Sequence, residues 1–433
     1  MKVSTSATEP RDANAEPSAE RNLRINTNSL IVANAVTGVL GLVFWIAAAR
    51  TFPAREVGVA AAQINSAVML AFLSILSIDT IYERFLPVAG SHARSLLKHG
   101  FLVVAVVAAL AGSALVVFGP RESLFESGWT MATYPVFVVV LAVFTLQDKA
   151  TAGLGVARWS AVKNAIHSVG KLIVVLALAW TGAAVSIVLA WGATAAAIAL
   201  FVLVALNRRA RSNPRFLAAP NLPSRQQLWS YFGSSFALTV CWALPNLAVP
   251  LIVLTQVGAE ANAYFAVSWA LIIALYVTLD LIVSPYVAEA AANPDKVMSL
   301  TWRMLRTLTA VTCMGSIGLA VVAPVMLSVV GAQYRSEGQG LLYLAAIFVP
   351  LAAVTAVYEG FARLKRRLRL LLLVRCVATV VIVCGSLILT RTAGVSGVGW
   401  ACLAAESVAA AVLIGPVIRW IRRAQLGKEG VHQ

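Results

Sequence analysis

The chain has 433 residues, of which 60% are hydrophobic and 12% are charged, and it carries a formal net charge of +16. This composition excludes an ordinary water-soluble globular protein and indicates a polytopic membrane protein. Such a positive charge would suggest nucleic acid in a soluble protein. Here membrane orientation accounts for most of it, so no nucleic-acid partner is expected.

Residues 1–27 are polar and rich in Ala, Glu, Ser and Pro, and we predict that they form a disordered cytoplasmic tail. Twelve apolar runs of about 20 residues follow, which is the length that crosses the hydrocarbon core as a helix. Each run must be helical, because hydrocarbon offers no partner for an unpaired backbone amide. The predicted spans are 28–49, 57–78, 98–118, 131–148, 161–180, 183–206, 230–255, 263–284, 306–329, 339–360, 371–390 and 397–418.

The basic residues alternate between the two sets of loops that separate these spans. Of the 34 Lys and Arg residues, 28 are assigned to the N-terminal tail, every second loop and the C-terminal tail. The intervening loops hold Arg50, Arg55, Arg121, Arg335 and Arg391. The positive-inside rule then predicts that both termini are cytoplasmic, in a multi-pass protein of the cell membrane, that is, the plasma or inner membrane.

The longest polar interruption between spans divides the chain into two sets of six. A weak internal similarity between residues 56–59 and 261–264, which open the second and eighth spans, agrees with a parallel repeat. Two such bundles predict a cleft between them, the usual place for a transported substrate. The predicted domains are an N-terminal six-helix lobe at 28–206, a cytoplasmic linker at 207–228, a C-terminal six-helix lobe at 229–421 and a cytoplasmic tail at 422–433.

Lys171 is the one basic residue assigned to neither set of loops, and we predict that it lies near mid-membrane with about ten helical residues on either side. A cation there costs about 2.5–3.5 kcal/mol on insertion scales, so it is a functional candidate. Asn164, His167, Ser168 and Lys171 are spaced i, i+3, i+4 and i+7, so they share one helical face. Three interpretations stay open: a site for a substrate headgroup or coupling ion, a structural pair with an acid such as Glu406, or a lysine that snorkels to the interface.

Acidic residues lie at the predicted inner ends of the second and eighth spans. Asp79, Glu83 and Arg84 form either an interfacial ion network or a gate that pairs across the lobes, with Asp280 or Arg363, when the inner side closes. Asp280 lies one turn before a proline that frees a backbone carbonyl. It is either an interfacial acid or a sodium or proton site.

The seventh and twelfth spans contain the remaining candidates. Asn246 lies between Pro245 and Pro250, which predict a bend of the kind found around transporter sites, although a harmless kink is equally consistent. Glu406 is the lone acid of the twelfth span, and it is a coupling-ion ligand, a partner of Lys171 or a buried protonated carboxyl. No phosphate-binding glycine loop is present, so no cofactor is expected, while coupling to H⁺ or Na⁺ is open.

The five cysteines are Cys241, Cys313, Cys376, Cys384 and Cys402. All lie in or at the ends of apolar spans, without paired spacing. We therefore expect them to behave as small apolar side chains and predict neither a disulfide nor a metal site.

Three parts of the chain carry recognisable motifs: ARTFPAREVG at 49–58 with YERFLP at 82–87, GAQY at 331–334 with GQGLL at 338–342, and EGFARLK at 359–365. They resemble the polysaccharide-transporter (Wzx-like) branch of the multidrug/oligosaccharidyl-lipid/polysaccharide (MOP) flippase superfamily. With twelve spans, the resemblance covers nearly the whole chain. It implies an all-α, MOP/MATE-like fold of two V-shaped six-helix lobes that alternate between inward-open and outward-open states.

The resemblance also implies a function. The protein would be a flippase or exporter that carries a polyprenyl-pyrophosphate-linked oligosaccharide, or a related precursor for O-antigen-like envelope polysaccharides, from the inner to the outer leaflet. Its partners would be the bilayer and the lipid-linked glycan, and a monomer is expected. A cationic cavity suits a pyrophosphate, whose oxygens need charge-assisted donors once they leave water.

Two other functions stay open. A MATE-like cation or drug antiporter would favour an acid in the first or seventh span, yet spans 28–49 and 230–255 contain neither Asp nor Glu. A membrane-embedded glycosyltransferase or ligase would need acids or His on a substantial outward loop. Glu122 and Glu126 lie in a loop of only about a dozen residues, without metal-ligand spacing. We therefore predict a transporter and not an enzyme.

Overall fold

A computed structural model describes residues 37–212, 225–365 and 368–429. Throughout these residues the chain forms α-helices joined by short turns, without a β-strand. The prediction of an all-α polytopic membrane protein is confirmed. The tail at 1–27, part of the first span, most of the linker at 207–228 and residues 430–433 lie outside the described residues, so the predicted domain boundaries stay a prediction.

Among the described residues, the first half of the chain contains eight α-helices. Helix α1 is described from Thr37 and runs to Thr51. The others are α2 (Ala54–Ser74), α3 (Ile78–Phe85), α4 (Ala93–Phe118), α5 (Arg121–Leu124), α6 (Gly128–Gly153), α7 (Arg158–Ala177) and α8 (Ala184–Ser212).

The described part of the second half contains seven α-helices: α9 (Arg225–Gln256), α10 (Ala259–Ala292), α11 (Val297–Ile317), α12 (Ala323–Val330), α13 (Ala332–Leu364), α14 (Arg369–Ala393) and α15 (Val395–Glu429). A π-helical turn, Gly318–Val322, joins α11 to α12, so that the two form one continuous span. Within the described residues, eleven spans are long and apolar enough to cross a membrane. Most of these helices extend beyond the predicted apolar runs, because a helix continues into the polar region after its apolar stretch ends.

The helix of the second predicted span begins three residues and ends four residues earlier than expected. Helix α2 ends at Ser74 because Leu76 and Ser77 adopt positive φ angles of 50° and 59°, which a right-handed helix does not allow. The chain then resumes as the short helix α3. Asp79 therefore belongs to α3, and the prediction that the second span runs to residue 78 is wrong.

Helix packing differs between the two ends of the molecule. One buried cluster joins both halves, with Phe44 and Val57 from the first half and Val249, Phe265 and Leu341 from the second. Most of a second cluster belongs to α2, α4, α6 and α8, and a third belongs to α10, α11, α13 and α15. Across the halves, α2 packs against α9 and α10. The halves therefore share a core in one region and keep largely separate cores elsewhere.

Candidate functional site

The N-terminal ends of α2 and α10 are in close backbone contact across the two halves. A Cβ atom on Gly58 would overlap the backbone carbonyl of Ala259, so only glycine allows this approach. The side chain of Asn262 is fully buried, and its Nδ2 donates to the Gly58 carbonyl at 2.7 Å. We call the contact of Gly58, Ala259 and Asn262 the closed seam. It joins the two segments whose weak similarity suggested a repeat.

Charged residues surround the first-half side of the seam. Arg55 Nη1 pairs with Glu56 Oε1 at 2.9 Å and with Glu126 Oε1 at 3.1 Å. Glu56 Oε2 accepts a hydrogen bond from the Ala184 backbone at the start of α8. Burial, followed by the neighbouring Glu56 carboxylate, raises the pKa of Glu126, and Arg55 offsets part of that rise. Through Arg55 and Glu56, the ARTFPAREVG motif therefore ties the start of α2 to Glu126 and to the start of α8.

At the opposite end of α2 the halves separate around a cavity of about 450 Å³. It lies between the α2–α3 corner and α6 of the first half and α9, α10, α13 and α14 of the second. Its lining residues are Phe72, Ile75, Ser77, Asp79, Thr145, Asp148, Lys149, Leu238, Thr239, Trp242, Asp280, Glu359, Arg363 and Arg375. The cavity is therefore amphipathic and carries charges of both signs from both halves.

Most basic groups in this wall are already paired. Both Arg363 and Arg375 bind Glu359, the latter at 3.2 Å. Lys149 Nζ pairs with Glu83 Oε2 at 2.8 Å. In the described part of the chain, Asp79 and Asp280 form no ion pair within 4.0 Å. These two carboxylates therefore lack the close counter-charge that the basic residues of the cavity have.

The residues predicted to form a gate therefore do not all lie at the cavity. Asp79, Asp280 and Arg363 line one cavity, as a gate across the halves requires. Glu83 instead contacts α6 through Lys149, and the Arg84 guanidinium lies 5.6 Å from the centre of the Phe85 ring. Asp79 and Glu83 therefore have different neighbours, and the choice between an interfacial ion network and a gate stays a prediction.

Helix α7 carries a longer buried polar face than predicted. Lys163, His167, Ser168 and Lys171 are all buried on it. Lys163 Nζ pairs with Asp148 Oδ1 at 2.8 Å and also donates to the Phe144 carbonyl. Ser160 Oγ donates to the same carboxylate oxygen of Asp148 at 2.6 Å, and Asn164 Nδ2 lies 3.4 Å from both oxygens. One acid of α6 therefore collects three donors from α7.

Lys171 lies in an aromatic environment. Its side chain is 4% exposed, and Nζ lies 3.4 Å from the centre of the Trp191 ring and 5.1 Å from that of Phe44. His167 Nε2 lies 3.1 Å from the Trp191 carbonyl. Lys171 forms no ion pair with any described carboxylate and is not among the lining residues of the cavity. Thirteen residues of α7 precede it and six follow, so it lies closer to the C-terminal end than predicted.

Glu406 and Asn246 have partners of their own. Tyr276 donates its hydroxyl to Glu406 Oε1 at 3.1 Å, while Glu406 Oε2 is buried without a hydrogen-bond partner in the described structure. Asn246 Nδ2 donates to the Trp242 carbonyl at 2.8 Å, and its Oδ1 accepts from Trp269 Nε1 at 3.3 Å. Lys171 and Glu406 therefore have different neighbours in this structure, and the role of each stays a prediction.

Five charged residues of the site were not predicted: Asp148, Lys149, Lys163, Glu359 and Arg375. Lys163 and Arg375 were counted among the loop charges, although each falls inside a predicted apolar run. A basic residue inside an apolar run indicates a position within a helix and not in a loop. Lys163 also extends the α7 face by one turn, since it precedes His167 by four residues.

These features define the class of protein: a polytopic helical bundle whose two halves meet at a closed seam and separate around a charged cavity. Solved structures share this fold. An inward-facing multidrug resistance MATE family transporter of the MOP superfamily has a TM-score of 0.68 at 14% identity, over 92% of this chain and 99% of that one. The lipid II flippase MurJ, in an inward closed conformation, has a TM-score of 0.69 at 10% identity, over 90% and 87%.

A third similar structure is a MOP superfamily transporter from Pyrococcus furiosus, described as having a binding pocket of reverse polarity that suggests a different function. It has a TM-score of 0.58 at 15% identity, over 92% of this chain and 94% of that one. No family model and no curated protein sequence matches the chain. The chain therefore has the fold of MOP superfamily transporters.

Proposed function

We propose that this protein is an alternating-access flippase of the cell membrane, which carries a polyprenyl-pyrophosphate-linked glycan from the inner to the outer leaflet. The observation that carries the transport part of the proposal is the one-sided opening between the halves. The closed seam lies at the N-terminal end of α2 and the cavity at its other end. In the orientation that the positive-inside rule predicts, with both termini cytoplasmic, this arrangement corresponds to an inward-open state.

The cargo is inferred from the charge of the first half. Lys171 is a buried cation whose described neighbours are aromatic rings, so a phosphate that reaches it breaks no existing ion pair. A phosphate would gain a charge-assisted hydrogen bond there. With the cytoplasm negative, each anionic charge moved outward gains about 2.3 kcal/mol per 100 mV.

The similar structures support this assignment in two ways. MurJ is a lipid II flippase, and the transporter from Pyrococcus furiosus is described by its reversed pocket polarity. The similar proteins are transporters and a flippase, which favours transport over a glycosyltransferase or ligase. The monomeric state and the coupling ion stay predictions.

A specific observation favours a second candidate, a MATE-like cation or drug antiporter. Asp79 and Asp280 line the cavity, one from each half, without an ion pair among the described residues. Two such acids suit a cationic cargo or a coupling cation. In the flippase proposal, the same acids pair across the halves with Lys149, Arg363 or Arg375 when the cavity closes.

Reconstitution into liposomes tests the cargo with Lys171→Met. The measurement is the fraction of a fluorescent polyprenyl-pyrophosphate-linked oligosaccharide that reaches the outer leaflet, where an added quencher detects it. Loss of one charge-assisted hydrogen bond, about 1.5–3 kcal/mol, predicts a rate lower by about ten- to a hundredfold. Lys171→Arg keeps the charge and is expected to retain most of the rate.

Two outcomes would overturn the flippase proposal. An unchanged rate in correctly folded Lys171→Met removes Lys171 from the mechanism. Accumulation of a cationic dye against a proton or sodium gradient, lost in Asp79→Asn and Asp280→Asn, establishes the antiporter instead.

A further inference from the structure

Two cysteines 135 positions apart in the sequence meet between α9 and α14. The Sγ atoms of Cys241 and Cys376 lie 3.1 Å apart. That distance is about 1 Å longer than a disulfide bond. Both cysteines are next to lining residues of the cavity, Trp242 and Arg375. Within the described chain, Cys313, Cys384 and Cys402 make no comparable contact.

The local chemistry of the two helices produces this contact. Pro245 has no N–H, so the carbonyl of Cys241, four residues earlier, loses its helical partner. Thr379 of α14 donates its hydroxyl to that carbonyl at 2.7 Å. Thr379 lies three residues after Cys376 and so shares its helical face. The bond that satisfies the carbonyl therefore also holds the two thiols against each other.

A second contact farther along keeps the two helices in register. Gln256 Nε2 donates to the Leu387 carbonyl at 3.2 Å, and Thr390 donates to Gln256 Oε1 at 2.6 Å. Both contacts lie C-terminal to the cysteines on their respective helices. The facing thiols thus belong to a continuous packed pair of helices.

We propose that Cys241 and Cys376 form an oxidisable dithiol, which a peroxide-class oxidant converts to a disulfide between α9 and α14. One thiolate attacks a peroxide oxygen, and with proton transfer gives a sulfenic acid and one water. The second thiolate attacks the sulfenic sulfur, forms the S–S bond and releases the oxygen as a second water. The two sulfurs lose two electrons in total and hydrogen peroxide gains them.

The disulfide would fix the wall of the cavity. Helix α9 packs against α2 of the first half, lines the cavity through Leu238, Thr239 and Trp242, and contains two prolines, four and nine residues after Cys241. A covalent link to α14 therefore restricts bending of the α9 segment before the prolines. In the predicted orientation the cavity opens towards the reducing cytosol, so a disulfide in its wall would be of the labile, regulatory kind. The inference is independent of which cargo the protein carries.

The test counts free thiols in the purified full-length protein after exposure to hydrogen peroxide. Maleimide labelling under denaturing conditions, followed by mass spectrometry, is expected to show loss of two of the five thiols and one Cys241–Cys376 linked peptide. A dithiol reductant restores both thiols. Cys384→Ser is the matched control and should form the same link. Cys241→Ser and Cys376→Ser should keep their four remaining thiols.

Thr379→Val and Thr379→Ser test the geometry separately from the cysteines. Loss of the hydroxyl in Thr379→Val is expected to slow disulfide formation severalfold, and Thr379→Ser should restore the rate. Persistence of all five thiols in the wild-type protein, or a link that involves Cys313, Cys384 or Cys402 instead, overturns the proposal. The wild-type linked peptide decides the question even if a serine variant fails to fold.

Discussion

The closed seam and the cavity are the two ends of one interface, and they are built from different residues. The seam consists of a glycine, an alanine and a buried asparagine, with the backbones of α2 and α10 in direct contact. The cavity is lined by charged side chains from both halves. Small residues allow a dry, close contact, whereas charged residues stay hydrated while the halves are apart.

The difference predicts how the interface opens and closes. Opening the seam breaks van der Waals contact and the hydrogen bond from Asn262 to Gly58, and both polar groups then find water. Closing the cavity desolvates several charges, which is favourable only when each charge gains an opposite partner. For Asp79 and Asp280 the nearest bases are Arg363, Arg375 and Lys149, which would have to exchange or share their present carboxylate partners, Glu359 and Glu83.

The largest expected effect comes from Gly58→Val. Its Cβ would overlap the Ala259 carbonyl, a backbone atom that cannot rotate away, so the seam-closed state should lose about 3 kcal/mol. Spin labels at positions 55 and 260, in a background without the native cysteines, report on the seam. The distance between them, measured by double electron–electron resonance, is expected to be longer in Gly58→Val. Gly41→Val is the matched control, because a Cβ there has no neighbour within 4 Å. An unchanged distance distribution in Gly58→Val would show that the seam does not determine closure.

An intermediate effect is expected from Lys163→Met, in the polar face beside the cavity. Removing one partner of a buried ion pair costs about 3–5 kcal/mol. Asp148 keeps 33% of its side chain exposed and keeps Ser160 as a donor, so we expect a loss of about 2 kcal/mol in the free energy of unfolding. Thermal or denaturant unfolding in one detergent measures it. The matched variant Lys171→Met leaves no carboxylate unpaired and should lose less; equal losses would contradict the different environments of the two lysines.

The fold was largely predictable because hydrocarbon restricts the chain so strongly. Apolar runs of sufficient length must be helices, and their positions follow from composition alone. The break after α2 escaped prediction, since Leu76 and Ser77 carry no sequence signal for positive φ. Several other helices, such as α10, α13 and α15, extend beyond the predicted runs by a turn or more at one or both ends, because a helix continues after its apolar stretch ends.

The sequence predicted which residues of the site share a helical face, but not which residues of different helices are in contact. Periodicity placed Asn164, His167, Ser168 and Lys171 on one face, and that face is indeed largely buried. No periodicity relates Lys163 to Asp148 or Arg375 to Glu359, because those pairs depend on which helices pack together. The pair Cys241 and Cys376 was missed for the same reason: a pattern read along the chain does not contain a contact across 135 positions.

The smallest expected effect concerns Glu126→Gln, at the seam side of the interface. The raised pKa of Glu126 means that the folded state holds its proton more tightly than the unfolded chain does. The free energy of unfolding therefore decreases as the pH rises from the pKa of Glu126 in the unfolded chain to its raised pKa in the folded state. Above the raised pKa this loss of stability is complete. Glutamine removes the titration, so the variant should gain stability relative to wild type at neutral pH and lose this advantage on acidification.

Because Glu126 is 35% exposed and also pairs with Arg55, the difference should stay within about 0.5 kcal/mol. Thermal midpoints of both proteins from mildly acidic to neutral pH measure it, and a difference that does not vary with pH would show that Arg55 fully compensates burial and the Glu56 charge.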